Sequence, residues 1–159
     1  MKLLVFSDSH GRYNKILDAI NDHRAICDAI IFLGDGISDI SAVKAQFSEL
    51  TYFFVKGNCD VFRQDHTSSE ATLVLEDRRV FITHGHKYGV KGGIGNLLAK
   101  AVENEADLVL FGHTHRPFES VYEINARRIR LFNPGSIADG SYGVIDISNN
   151  AIICGHGKT

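Results

Sequence analysis

The chain has 159 residues and a mass of 17.6 kDa, which is enough for one domain with a full core. Hydrophobic residues make up 44% and charged residues 23% of the sequence, a composition that excludes intrinsic disorder. A net charge of −2 excludes a global positive field that would attract nucleic acid or an acidic membrane. We therefore expect a single folded domain spanning 1–159.

The sequence also favours a cytoplasmic protein without membrane contact. The first apolar run, Met1 to Phe6, is too short for a signal peptide, and no stretch reaches the length of a transmembrane helix. Cys27, Cys59 and Cys154 are an odd number of cysteines at wide separations, which indicates reduced thiols rather than a disulfide framework.

The first third of the chain alternates buried strands with amphipathic helices. Apolar runs predict strands at Lys2–Phe6, Ala29–Leu33 and Thr51–Val55. Apolar residues at helical spacing predict helices at Asn14–His23 and from Ser38, as the capping residue, to about Phe47.

The remainder of the chain is richer in strands. A hairpin is predicted from Thr72–Leu75 and Arg79–Thr83, followed by a helix at about Ile94–Asn104 and a buried strand at Leu108–Phe111. Short strands are expected at Val121–Ile124, Ile129–Phe132, Tyr142–Ile147 and Ala151–Cys154. This order predicts an α/β domain with a mixed sheet, or with two packed sheets flanked by helices. An exposed edge strand in the last third would allow a homodimer.

Five of the predicted strands end beside side chains that can bind a metal ion. These ends are Ser7-Asp8-Ser9-His10, Gly34-Asp35, Gly57-Asn58, Thr83-His84-Gly85 and Gly112-His113-Thr114-His115. Each fragment alone is weak, because an Asp-x-His pair is commonly a helix cap and a Gly-Asp pair a turn. Sites in α/β sheets form beyond the carboxyl ends of the strands, so we expect the set to converge.

The donor types indicate a catalytic metal centre. Mixed nitrogen and oxygen ligands argue against a closed structural zinc site, and manganese, iron, zinc or nickel would fit them. Seven ligands suit two ions that share a carboxylate bridge. Two divalent cations carry more positive charge than Asp8, Asp35 and a bridging hydroxide remove. Such a site would attract a phosphate ester and favour in-line attack by the hydroxide.

The ordered motifs resemble those of the calcineurin-like metallophosphoesterases, and within them the small YfcE-type phosphodiesterases. They are Asp8/His10, Gly34-Asp35, Gly57 to Asp60, His84 to His86, Gly112 to His115 and Asn133 to Ser136. The resemblance implies a four-layer α/β/β/α sandwich of two mixed sheets flanked by helices. It also implies two divalent ions, with manganese expected first and nickel, iron or zinc as alternatives.

The resemblance further implies a role for each matched residue. Asp8, His10 and His115 would hold the first ion, and Asp35 would bridge to a second ion held by Asn58, His84 and His113. Asn58 would also face the substrate phosphate, as a catalytic electrostatic stabiliser. His86 would at most contact the substrate.

Cys59 departs from the wider superfamily, in which many members have a histidine that helps to protonate the leaving oxygen. A neutral thiol, with a reference pKa of about 8.5, is a poor general acid. We therefore expect Cys59 to lie near the substrate and the enzyme to prefer phosphodiesters with good leaving groups.

Other readings stay open from the sequence. The chain could be a phosphomonoesterase or a nucleotide pyrophosphohydrolase with the same metals, or a protein-binding scaffold like the retromer subunit of this fold. Arg63, Gln64 and His66 could contact substrate, although a solvated loop is the simpler expectation. His23 is expected at helix-terminal carbonyls, His156 in a tail, Asn133–Ser136 in a structural turn, and Cys27 and Cys154 in the core.

Overall fold

Two five-stranded mixed sheets pack against each other in a computed structural model that describes residues 1–60, 67–148 and 150–159. The strands are β1 Lys2–Phe6, β2 Ala29–Phe32, β3 Thr51–Phe54, β4 Glu70–Leu75, β5 Arg78–Thr83, β6 Leu108–Phe111, β7 Pro117–Ile124, β8 Arg127–Pro134, β9 Ser141–Ile147 and β10 Ile152–Lys158. The helices are α1 Tyr13–His23, α2 Ile37–Gln46 and α3 Gly95–Glu103, with 3₁₀ turns at His86–Tyr88 and Ile137–Asp139.

The strand order shows how the chain crosses between sheets. The first sheet has the order β10-β9-β1-β2-β3, and the second has the order β4-β5-β6-β8-β7. Strands β1, β2 and β3 run parallel, as do β5, β6 and β8. The carboxyl ends of each parallel set therefore lie at one edge of its sheet, where the loops that carry the predicted ligands begin.

Three clusters of buried apolar residues hold the two sheets and their flanking helices together. Leu3 and Val5 face the second sheet and pack with Val80, Ile82 and similar residues. Leu4 and Phe6 of the same strand face helices α1 and α2 in the second cluster. The third cluster covers the other face of the second sheet with α3, through Leu97 and Ala101. The four-layer sandwich is thus confirmed, and burial on both faces explains the continuous apolar runs.

Helix α2 begins differently from the prediction. Its first residue is Ile37 and its N-cap residue is Gly36, which has no side chain to cap the helix, so the assignment of Ser38 as the cap was wrong. The N–H groups of Gly36 and Ile37 instead donate to Asp60 Oδ1, at 3.0 Å each. A carboxylate from a distant loop therefore supplies the oxygen that a local serine was expected to provide.

Several other side chains lie elsewhere than the sequence suggested. His23 Nε2 lies 2.9 Å from the Tyr142 hydroxyl, rather than at helix-terminal carbonyls. His156 belongs to β10 rather than to a tail, and its ring stacks on Phe132 with centroids 4.5 Å apart. Cys27 and Cys154 are only partly buried, at the margins of the apolar clusters. These contacts join elements far apart in sequence, which local patterns cannot reveal.

The edges of the sheets are β10 and β3 in the first sheet and β4 and β7 in the second. Pairing of two chains through β7 or β10 stays a prediction. Among the helices within the described ranges, none has the length and apolar character needed to cross a bilayer.

Candidate metal centre

The predicted ligands lie on loops that follow β1, β2 and β3 in one sheet and β5 and β6 in the other. Five of them have a positive φ, a conformation that costs free energy in a residue with a side chain. The angles are 56° for Asp8, 43° for His10, 58° for Asp35, 67° for His113 and 61° for His115. Strained backbone at five ligand positions indicates that the loops are held there by their surroundings.

The first ligand group consists of Asp8, His10 and His115, whose donor atoms lie within 4.8 Å of one another. Asp8 Oδ1 is 3.2 Å from His115 Nε2 and 3.9 Å from His10 Nε2. The two Nε2 atoms are 3.4 Å apart. Three donors thus point to one small volume, on loops that follow β1 and β6.

The second ligand group consists of Asp35, His84 and His113. His84 Nε2 is 3.4 Å from Asp35 Oδ2 and 3.2 Å from His113 Nδ1. His84 is fully buried, and its Nδ1 lies 2.7 Å from the Leu33 carbonyl oxygen, which can only accept a hydrogen bond, so Nδ1 is the donor. This bond directs Nε2 towards Asp35 and His113, where it could bind a metal ion in place of a proton.

Asp35 connects the two groups. Besides His84 and His113, its carboxylate lies within 4.8 Å of His10, a member of the first group, and of Cys59. Its Oδ1 accepts the backbone N–H of Cys59 at 2.7 Å, while Oδ2 faces His84. The arrangement suits a carboxylate that serves two ions.

The environment of Asp8 provides a test of whether a cation fits. Asp8 Oδ2 accepts hydrogen bonds from Ser7 Oγ at 2.6 Å and from the His113 N–H at 3.1 Å. Asp8 Oδ1 is buried and has no hydrogen-bond partner among the described residues, although imidazole nitrogens surround it. A buried carboxylate oxygen without a hydrogen bond is costly, and a divalent cation would compensate it.

The charges of the ligands shift one another's pKa values. Burial alone would raise the pKa of Asp35, but the hydrogen bond and the charge of His84 outweigh it, so the pKa of Asp35 lies well below its usual value. Burial would lower the pKa of His84, yet the hydrogen bond to Asp35 and the charge of Asp8 raise it. Burial, the charge of His84 and the charge of Lys91 lower the pKa of His113 to about 4. His113 is therefore a neutral nitrogen donor at neutral pH.

Asn58, Cys59 and His86 lie at the mouth of the centre. Asn58 and His86 line a cavity of about 300 Å³ together with Lys56 and Lys87. Asn58 Nδ2 lies 3.3 Å from Cys59 Sγ. Burial, followed by the hydrogen bond and charge of Asp35, raises the pKa of the Cys59 thiol to about 11. Arg63, Gln64 and His66 lie outside the described residues.

Sequence reasoning gave no role to Asp60, which organises two of the ligand loops. Its carboxylate accepts the N–H groups of Asp35 and Gly57, at 2.8 Å each, in addition to those at the start of α2. Asp60 closes the Gly57 to Asp60 motif, so its place in that motif was the available signal.

Asn133 and Ser136 support the other ligand loops, but Asn133 and Pro134 end strand β8 instead of forming the expected turn, and only Gly135 and Ser136 lie beyond the strand. Asn133 Nδ2 donates to the Gly112 carbonyl at 2.8 Å and contacts Thr114 Oγ1 at 3.2 Å. Ser136 Oγ donates to the Asp8 carbonyl at 2.9 Å.

Gly112 is required by close packing between the loops. A Cβ atom on it would lie 1.8 Å from Ser7 Oγ and 3.0 Å from Asp8 Oδ2. Only glycine allows the His113 loop to come close enough for its N–H to reach Asp8.

The clustered carboxylate and imidazole groups between the two sheets are donors that suit divalent metal ions. Residues 1–156 match the model of the calcineurin-like phosphoesterase superfamily domain, so the chain belongs to that superfamily and to the class of metal-dependent phosphoester hydrolases.

Individual relatives agree with this membership. The chain is 34% identical over 158 residues to a probable metallophosphoesterase of Bacillus subtilis, YsnB, covering 95% of this chain and 87% of the relative. It is 28% identical over 174 residues to the phosphodiesterase YfcE of Escherichia coli, covering 92% and 88%.

Solved structures show the same fold. A predicted phosphoesterase of Streptococcus pneumoniae superimposes with a TM-score of 0.79 at 25% identity, over 99% of this chain and 88% of that one. Vps29 of Entamoeba histolytica, in complex with zinc, gives a TM-score of 0.71 at 16% identity over 99% of each chain, a likeness of fold alone.

Proposed function

We propose that the chain is a phosphodiesterase with a dinuclear metal centre. In this assignment Asp8, His10 and His115 bind one ion, while Asn58, His84 and His113 bind the other, with Asp35 as the bridge. The observation that carries the proposal is the position of Asp35, which is within reach of both His10 and the pair His84/His113. Manganese is the expected metal, and nickel, iron or zinc would also suit these donors.

The protein contributes orientation to this chemistry. Bound ions would stabilise charge on the phosphate and supply an activated water near neutral pH. Asp8 and Asp35 each have one oxygen fixed by a backbone N–H, which leaves the other oxygen directed towards the imidazoles. Asn58, at the mouth of the centre, would donate from its amide to a phosphate oxygen of the substrate.

The thiol of Cys59 favours diesters with good leaving groups. With a pKa raised to about 11, it holds its proton too firmly to protonate a leaving oxygen efficiently. An ester whose leaving group departs without protonation avoids this weakness. The name of the relative YfcE, a phosphodiesterase, is consistent with this choice.

A phosphomonoesterase is the second candidate, because Lys56 and Lys87 line the cavity beside Asn58 and His86. Their charges would suit the additional negative charge of a monoester or a nucleotide pyrophosphate. A non-catalytic scaffold is the third candidate, since Vps29 shares the fold. The donor atoms converging in both ligand groups argue against a purely structural role.

The test compares hydrolysis of bis-p-nitrophenyl phosphate and p-nitrophenyl phosphate with added manganese or nickel, before and after chelation. We expect faster metal-dependent turnover of the diester. Preference for the monoester would support the second candidate. Absence of metal-dependent turnover on both esters would refute the enzymatic proposal.

A further inference from the structure

An open cavity of about 580 Å³ lies beside the candidate metal centre. Thr114, which stands between His113 and His115, forms part of its wall. The remaining wall comes from the segment before α3 and from the start of β7, including Val90, Ile94 and Phe118. A group attached to a phosphate at the metal centre could therefore extend into this cavity.

The floor of the cavity is apolar and aromatic. The rings of Phe111 and Phe118 meet edge to face, with centroids 5.9 Å apart and planes at 64°. Val90 is buried beside them, and Ile94 is partly buried in the same cluster. Such a floor would hold a flat ring through apolar burial and ring-to-ring contact.

Two cations lie at the rim. Lys91 and Arg116 are exposed, and neither side chain forms an ion pair with a residue in 1–60, 67–148 or 150–159. Among the lining residues that the structure describes, none carries a carboxylate.

We propose that this cavity is the subsite for one ester group of the substrate, and that this group is an aromatic ring bearing a second negative charge. A nucleotide has this chemistry. The inference rests on the proposed function, since the substrate phosphate must lie at the metal centre for its ester group to reach the cavity.

The test measures binding, by calorimetry, of ethylphosphonate, phenylphosphonate and 4-carboxyphenylphosphonate to the manganese-loaded protein. These probes are not hydrolysed, and they add first a ring and then an anion to the same phosphorus group. We expect affinity to rise in that order, by about threefold to tenfold for the ring and by about twofold to fivefold for the anion.

Substitutions test which residues cause the gain in affinity from the ring and which cause the gain from the anion. Phe118→Ala should abolish the advantage of phenyl over ethyl, and Phe118→Leu, which keeps apolar volume and so preserves the fold, should reduce it. The double variant Lys91→Met/Arg116→Met should abolish the advantage of carboxyphenyl over phenyl. The control is Arg128→Met, an exposed arginine beside a different cavity at the amino ends of β8 and β10, and it should leave all three affinities unchanged.

Equal binding of the ethyl and phenyl probes to the unmodified protein would overturn the subsite, as would variants that weaken all probes alike. Turnover of bis-p-nitrophenyl phosphate is scored separately. A protein that hydrolyses the diester without discriminating between probes would retain the proposed function and lose the subsite. A protein that discriminates between the probes without hydrolysing the diester would retain the subsite and lose the proposed function.

Discussion

Asp35 lies where the two ligand groups meet, with Oδ2 at 3.4 Å from His84 Nε2 and the carboxylate within reach of His10. Asp35→Asn keeps the size of the side chain and removes its charge. We expect the variant to retain about one ion per chain or fewer, and to lose roughly 100-fold or more in metal-dependent turnover. Elemental analysis after desalting and steady-state kinetics measure both effects.

The matched control for this variant is Asp18→Asn, an exposed carboxylate on α1. It should retain metal content and activity. Two tightly bound ions with full activity in Asp35→Asn would contradict the bridging role.

Cys59 is a second residue with a testable role. Cys59→His would place an imidazolium, a competent general acid, where the thiol now has a pKa of about 11. We expect turnover of diesters with poor leaving groups to rise by roughly 100-fold, and that of p-nitrophenyl esters to change little. The measurement is the slope of log kcat/KM against the pKa of the leaving group, with Cys59→Ser as the control. An equal gain for good and poor leaving groups would count against this role.

At the scale of elements, Asp60 joins the loop after β3 to the loop after β2 and to the start of α2. Asp60→Ala removes a charged acceptor and leaves several N–H groups without a partner, so we expect a loss of about 3 kcal/mol in the free energy of unfolding. Urea denaturation measures it, with Asp18→Ala as the control. A loss as small as that of the control would show that water replaces the carboxylate.

For the whole molecule, the proposed ligands come from loops of both sheets, so bound metal would connect the two halves of the sandwich. Because the folded centre binds ions better than the unfolded chain, metal at about a hundredfold above Kd should add about 2.7 kcal/mol of stability. This corresponds to a rise in Tm of roughly 5–10 °C. Calorimetry with and without chelator measures the rise. An identical rise in Asp35→Asn would place the stabilising ion elsewhere.

The strands that position the site, and the donor groups at their ends, could be predicted from the sequence. Leu3 to Phe6 of β1, for example, are buried on both faces of the sheet, so apolar continuity alone identifies the strand. The donor types are the residues themselves, such as Asp8, Asp35 and His84, which stand directly after predicted strands. These features are local, and local patterns predict them.

The backbone groups that hold those donors in place could not be predicted, because they come from distant parts of the chain. His84 Nδ1 pairs with the carbonyl of Leu33 across the two sheets, and Asp60 replaces the expected serine cap of α2. His156 on β10 of the first sheet stacks on Phe132 on β8 of the second, a contact that depends on the packing of the two sheets. Such contacts join residues far apart in the chain, and their geometry depends on how the sheets pack, which no local pattern encodes.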